Sequence, residues 1–471
     1  MSDRPKTRQE LYDRIRASSR DEVTLEEMIR FGFWPRGGQL PEDPADEVRR
    51  LAELGRELGA LADERRTLAN VAALKQQAHE ARLAASRQRQ AETKTRRLAE
   101  RAARAAAWRE KQQHEIVFLG DGVSAGLADK QGDDARVQRQ GLPLLPDGTA
   151  LAAAMGIGLG ELRFLSFARA AAQVSHYKRF TLPKKTGGER LISAPMPRLK
   201  RAQHWILEHL LAKLPVSPEA HGFVPGRSIV SNARPHVGAT VIVNLDLKDF
   251  FPSIELRRVK GLFRSYGYGE HTATILALLC TEPDVETVAL DGLTYHVATS
   301  ARHLPQGAPT SPAITNSLCA RLDKRLAGLA RKQGFTYTRY ADDLTFSTRV
   351  ADDAPVARLL ARVRWILGQE GFTVHPDKTR VLRRGRRQEV TGLVVNDRLG
   401  VPRDTLRRFR ALLHRVERHG VEGARWGESQ VEKRDLFASM RGFVRFVHMV
   451  DPDKARPLAA QVEALARRAG R

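Results

Sequence analysis

The sequence predicts a mixed α/β (α+β) protein: a central body of strands and helices, a helical domain after it and a helical extension before it. Three observations lead there. From about residue 161 to Val390, short β-branched runs alternate with amphipathic helical patterns, as in an α/β domain. From Ala45 to Glu115 there is no proline, and glycine occurs only at 55 and 59, in a chain of Ala, Leu, Arg, Glu and Gln that favours helix. After Gly392 the chain reads as helical and basic again, in TLRRFRALLHRVERH and LFASMRGFVRFVHMV. The 471 residues suit two to four domains, and a 42% hydrophobic content lets most of the chain bury a core.

Residues 1–45 form the first expected element, a small helical unit. Thr24 with Glu27 three residues on fits a capping box, and PRGGQLPEDP closes the unit as a loop. Residues 46–115 follow as one long helix, a helical hairpin or a coiled-coil arm. Leu51, Leu54, Leu58 and Leu61 keep the 3-4-3 spacing of a coiled-coil seam, which fades at Arg65 and Lys75. Between Arg65 and Gln113 stand 13 basic and 4 acidic residues, which suits either a solvated helix or an arm that binds RNA or a partner. The Gly- and Asp-rich stretch at 116–160 reads as a linker. The α/β body occupies 161–390 and the helical domain 391–471.

Charge narrows the function. Lys plus Arg number 79 against 55 Asp plus Glu, a net +24 with a pI near 10.6, so a polyanion is the expected partner and nucleic acid the first candidate. A GC-rich coding sequence would explain some of the Arg excess, but not its placement beside the motifs below. Cys280 and Cys319 are too few for a disulfide framework or a four-ligand zinc site, and a reducing cytoplasm is the simplest home. No secretory h-region and no apolar run of membrane-spanning length is visible, so membrane association is not expected.

The chemistry is carried by carboxylates. TVIVNLDLKDFFPSI (Thr240 to Ile254) opens as a buried, β-branched strand and ends in Asp246, with Asp249 three residues later. A carboxylate there is costly unless a cation or hydrogen bonds compensate, although Asp can also simply cap a turn. Almost a hundred residues on, FTYTRYADDLTFST reads as two strands around a tight ADD turn that carries Asp342 and Asp343. Adjacent like charges repel, and a divalent cation is the usual remedy. With Asp246 on a neighbouring strand the cluster suits two Mg²⁺ ions about 3.5–4 Å apart, clamping the oxygens of a phosphoryl transfer.

With NLDLKDFF as motif A, YADD as motif C and HLPQGAPTSPAITNSLCARLD (His303 to Asp323) as motif B, the chain resembles a reverse transcriptase from roughly Leu162 to Val450. The resemblance implies a right-hand polymerase: fingers and palm with an antiparallel sheet, then a helical thumb. It implies Asp246, Asp342 and Asp343 as ligands of Mg²⁺, with Mn²⁺ as a possible substitute and the Leu247 carbonyl assisting. Gln306 and Gly307 then border the incoming nucleotide and the template, with Asp249 also in the nucleotide site. Phe251 corresponds to the steric gate against a ribose 2′-OH. Lys184, Lys185 and Arg190 resemble the fingers cations that grip the dNTP triphosphate, and Lys378 stands where motif D carries a general acid. The loop around Gly187 and Gly188 reads equally as a basic β-hairpin, and Lys378 equally as a surface lysine.

Two signatures narrow the resemblance. Asn232-Ala233-Arg234-Pro235-His236 fits the NAxxH of retron reverse transcriptases, and Val390-Thr391-Gly392 their VTG, which opens the RNA-recognition region of the thumb. The resemblance implies RNA contacts near Asn232, His236, Val390, Thr391 and Gly392, although His236 also reads as a core or capping histidine. It further implies a cognate non-coding RNA, an RNA–DNA hybrid, priming from an internal guanosine 2′-OH, branched multicopy single-stranded DNA and antiphage defence beside an effector protein. A group II intron-like or diversity-generating enzyme is the alternative within the class, and a non-catalytic RNA-binding scaffold the alternative outside it.

Overall fold

The structure, a computed structural model, describes residues 7–17, 27, 30–33, 54, 57–58, 61–62, 69–183, 187–351, 354–426 and 436–470. Contacts divide the chain into two compact units, Met1–Lys111 with Ala289–Leu293, and Gln112–Val288 with Thr294–Arg471. In the first, Arg8–Ala17 is helical and Ala69–His114 is one continuous helix of 46 residues. Its length is roughly 70 Å at 1.5 Å per residue. Leu54, Leu58 and Leu61 lie exposed, while Thr24 and Leu51 fall outside the described residues.

The second unit is built on an antiparallel sheet. In chain order its strands are β1 (Ala171–Ala172), β2 (Tyr177–Pro183), β3 (Glu189–Pro195), β4 (Val241–Asp246), β5 (Val285–Leu290), β6 (Leu293–Ala298), β7 (Thr336–Tyr340), β8 (Asp343–Thr348), β9 (Arg380–Arg383), β10 (Glu389–Val390) and β11 (Leu393–Val394). The central sheet has the order β7-β8-β4-β9, with every pair antiparallel. Smaller sheets are β2-β3, β1-β6-β5 and β10-β11. Strand β4 is buried on both faces, which explains its continuous apolar run. Val241, Val243 and Leu245 enter the main core, whereas Ile242 enters a smaller cluster with Val230, Ala233, Val390, Leu393 and Val395. Helices Arg403–His419, Leu436–Val450 and Pro452–Arg468 bury a separate core around Phe409, Met440 and Val462. These helices make up the C-terminal end of the chain.

The expected linker at 116–160 is instead part of the body. Ile116, Leu119, Leu127, Val137, Leu142 and Leu145 are buried in the main core. His271 takes the peptide N–H of Gly148 at Nε2 (3.1 Å) and meets the Leu127 carbonyl at Nδ1 (2.6 Å), and Thr272 Oγ1 donates to the Leu145 carbonyl at 2.8 Å. The composition misled because Gly and Asp serve here as tight-packing and capping residues. A Cβ at Gly120 would stand 2.0 Å from the Ala168 carbonyl oxygen, and Asp147 caps the helix Gly148–Met155 through the N–H groups of Thr149 and Ala150.

The boundary at 390/391 also moves. The hairpin β10–β11 packs on the palm side with Ile242 and Val230, and the thumb core starts only at Val401. Thr391 and Gly392 form its turn with φ +47° and +81°, the positive pair of a type I′ turn.

Candidate active site

The palm sheet positions the carboxylates by register. Asp246 ends β4 directly opposite Asp343, the first residue of β8. Residues opposite each other in an antiparallel pair project on one face, so the two carboxylates are neighbours and repel. Asp342 sits in the two-residue turn between β7 and β8, beside Ala341, whose φ is +56°. Alanine rarely takes that conformation, and strain of about 1–3 kcal/mol is typical where a tight turn serves a site. Gly222 presses against the turn, where a Cβ would come within 2.6 Å of the Ala341 nitrogen. The N–H of Leu247 donates to the Asp342 carbonyl at 3.1 Å, tying the end of β4 to the turn.

Electrostatics record the crowding. Burial raises the Asp342 carboxyl above its usual range and Asp246 adds repulsion, against the offsetting charges of Lys378 and Arg190. Burial, then Asp342 and Asp246, push Asp343 up to about 7. Lys378, in the short turn Pro376–Lys378 before β9, donates from Nζ to Asp246 Oδ1 at 2.9 Å. Among the described residues no three acidic, His or Cys side chains are gathered closely enough to enclose an ion. The donor set nonetheless fits a divalent cation, because three mutually repelling carboxylates hold more negative charge than one lysine and one more distant arginine compensate.

Three further expected residues meet in one cleft of ≈ 530 Å³, whose lining includes Arg190, Asp249 and Gln306. Asp249 has φ +47° and its carbonyl accepts from Ser253 N–H at 2.8 Å, turning the chain after β4. The Gln306 carbonyl accepts from Ser193 N–H at 2.8 Å, strapping motif B to β3. Gly307 has φ +120°, and a Cβ there would lie 3.0 Å from the Ser193 carbonyl oxygen. That position therefore requires glycine for the backbone alone. Phe251 is half-buried, its ring 5.6 Å from that of Phe250, which itself packs on Phe372. Lys184 and Lys185 lie outside the described residues.

Sequence reasoning missed two networks. Glu282, Asp284 and His303 also line the cleft; Glu282 is buried, paired with Arg179, and raised by that burial. Its only sequence signal is an acid just after the apolar helix Glu270–Cys280. Behind the β7–β8 turn, Arg339 and Asp323 form a wholly buried ion pair at 2.7 Å, completed by Tyr337 and Asn316. An arginine within a strand that is otherwise buried (TYTRY) was the available hint.

The retron signatures are brought together, but not as a surface. Asn232, His236 and Val390 are buried, which corrects the expectation that they contact RNA: no face of theirs is open to a ligand. His236 bridges Ser347 Oγ (2.7 Å) and Thr338 Oγ1 (2.8 Å), and burial pushes its imidazole down to about 3. Asn232 Nδ2 reaches Thr391 Oγ1 at 3.5 Å, and Thr391 Oγ1 donates to the Ile229 carbonyl at 3.4 Å. NAxxH and VTG are thus two halves of one buried joint, with Thr391 half-buried and Gly392 exposed at its rim.

Comparison with known proteins places the chain among reverse transcriptases. A family model described as reverse transcriptase (RNA-dependent DNA polymerase) matches residues 182–402. The chain is 47% identical over 381 residues to the retron Mx162 reverse transcriptase of Myxococcus xanthus, covering 75% of this chain and 77% of that protein. It is 47% identical over 335 residues to the retron Mx65 reverse transcriptase of the same organism, covering 71% and 75%. To the retron Ec86 reverse transcriptase of Escherichia coli it is 32% identical over 339 residues, covering 71% and 94%.

Proposed function

The chain belongs to the retron reverse transcriptases, RNA-directed DNA polymerases of right-hand fold, and on that premise we propose that it copies part of its own structured non-coding RNA into DNA. Synthesis starts from an internal guanosine 2′-OH and yields branched, RNA-linked multicopy single-stranded DNA. The setting is a bacterial cytoplasm, in antiphage defence beside an effector protein. The observation that carries the polymerase chemistry is the Asp246–Asp343 register with Asp342 in the adjoining turn.

The family uses divalent metal ions, and Asp246, Asp342 and Asp343 with the Leu247 carbonyl are the residues that would hold them, Mg²⁺ first and Mn²⁺ as substitute. Bound there, such ions lower the pKa of the attacking hydroxyl and neutralise charge on the transferred phosphate. The remaining work falls to this chain's own side chains. Arg190, with Lys184 and Lys185, neutralises the triphosphate of the incoming dNTP. Gln306 and Asp249 orient the nucleotide in the cleft, and the half-buried Phe251 ring excludes a ribose 2′-OH. Lys378 breaks its bond to Asp246 and delivers a proton to the departing pyrophosphate. Thr391 and Gly392 present the thumb entrance to the RNA, while Asn232 and His236 hold that entrance from behind.

The test is to transcribe the inverted-repeat DNA beside the coding sequence and incubate the RNA with the protein, dNTPs and Mg²⁺. A product carrying RNA and DNA on one molecule, separable by a 2′–5′ debranching activity, is expected. DNA made only from an added 3′-OH primer would overturn the internal 2′-OH priming while leaving the polymerase intact.

A further inference from the structure

The long helix Ala69–His114 carries a pattern that polymerase chemistry does not require. It holds eleven Lys and Arg against four Glu, and ten of those eleven cations fall into three seven-residue columns. The columns are Lys75-Arg82-Arg89-Arg96, Arg97-Arg104-Lys111 and Arg87-Lys94-Arg101, the last continuing to the half-exposed Trp108. Seven residues are close to two helical turns, so each column runs along the axis with a drift of about 20° per step. Successive members stand about 10.5 Å apart. A coiled coil uses this repeat for apolar residues; here it carries charge.

Every one of these cations is exposed. Among the described residues the ion pairs of the helix are those of Glu100, with Arg96 at 3.9 Å and Arg104 at 3.6 Å. A helix charged merely for solubility would spread Glu among the Lys and Arg at i,i+4. Between the columns lies an open trough of ≈ 530 Å³, lined by Ser86, Gln90, Thr93 and Leu98 and by the cations Arg89, Lys94, Arg97 and Arg101. The short Ser86 and Thr93 side chains let an anion approach the helix between the cations.

We infer that this face of the helix is a docking surface for the phosphate backbone of duplex RNA. The repeat suits a polymer whose charge is regular and of one sign. An acidic protein fits less well, because protein interfaces centre on clusters of buried aromatic or aliphatic anchors, whereas the trough lining is cationic and polar apart from Leu98. Backbone contact of this kind is independent of sequence and strongly dependent on salt. The arm thus adds affinity for folded RNA without choosing which RNA.

The experiment uses the full chain and a 20-base-pair RNA hairpin, with binding followed by fluorescence anisotropy across a salt series. The variant Arg89→Gln/Lys94→Gln/Arg97→Gln/Arg101→Gln keeps helix propensity, which circular dichroism checks. Its slope of log K against log salt should be shallower by about 3.5, from four lost phosphate contacts. The matched variant Arg89→Lys/Arg97→Lys/Arg101→Lys should keep the slope. Extension of an annealed primer at saturating template should be equal in all three proteins, separating arm from polymerase. An unchanged slope in the Gln variant would overturn the inference. So would a polyglutamate chain that competes with the hairpin as well as unlabelled duplex RNA does, since the surface would then read acidic protein.

Discussion

Arg339 and Asp323 make a bidentate ion pair with no solvent exposure on either side chain, at 2.8 and 2.7 Å, directly behind the β7–β8 turn that carries Asp342. The same guanidinium donates from Nη1 to the Ala341 carbonyl at 3.2 Å, so the pair also grips the residue before Asp342. Removing one member leaves an uncompensated buried charge. Asp323→Asn or Arg339→Gln should each cost about 3–5 kcal/mol in a urea melt, far more than any exposed pair here. A loss below about 1 kcal/mol in both would show that the turn does not depend on this pair.

Asp342→Asn changes charge and hardly changes shape. DNA synthesis on a primed RNA template should fall by several orders of magnitude, while thermal stability stays the same or rises, because burial and Asp246 already disfavour the ionised carboxyl. RNA binding should be retained. Near-normal extension by this variant would remove Asp342 from the metal site.

Phe251→Ala should admit ribonucleotides more readily, by about tenfold or more in the ratio of incorporation rates. The half-buried ring is held by Phe250, so its loss opens space without rebuilding β4. Single-nucleotide incorporation of matched dNTP and rNTP pairs gives the ratio, and an unmoved ratio would place the gate elsewhere.

His236 should make the fold acid-sensitive. Its folded imidazole titrates at about 3, below the ordinary 6.5, so between those values the unfolded chain binds the extra proton. Stability is therefore lost as pH falls through this window, about 2 kcal/mol between pH 6.5 and 5. Asp343 acts in the opposite sense, because its raised carboxyl gains a proton on folding below about 7. The measure is thus the difference between wild type and His236→Gln in metal-free urea melts at pH 7.5 and 5. The variant should be less stable at pH 7.5 and should lose less on acidification; parallel losses would mean that His236 is not buried neutral.

A chain beginning at Gln112 should fold and extend a primer on a generic template. One beginning at Gly148 should not, since it lacks six apolar side chains of the main core, from Ile116 to Leu145. At about 1.5–3 kcal/mol each, their loss rivals the whole stability of a typical domain. Soluble yield, melting temperature and extension decide between the two truncations. An active protein starting at Gly148 would restore the linker.

The sequence by itself determined what local pattern can carry. The buried run before Asp246, the ADD turn and the proline-free helix are properties of neighbouring residues; the structure has the strand Val241–Asp246, the β7–β8 turn and the helix Ala69–His114. Tertiary structure decided what depends on distant partners. Gly120 and Asp147 read as linker residues until Ala168 and the helix after Asp147 gave them close contacts and caps. Asn232 and Thr391 read as separate ligand-facing signatures until the fold closed 159 positions of chain and brought the buried Asn232 against the half-buried Thr391. Glu282 and Arg339 gave almost no signal, because a buried charge is tolerated only through its partner, and Arg179 and Asp323 are chosen by packing rather than by spacing.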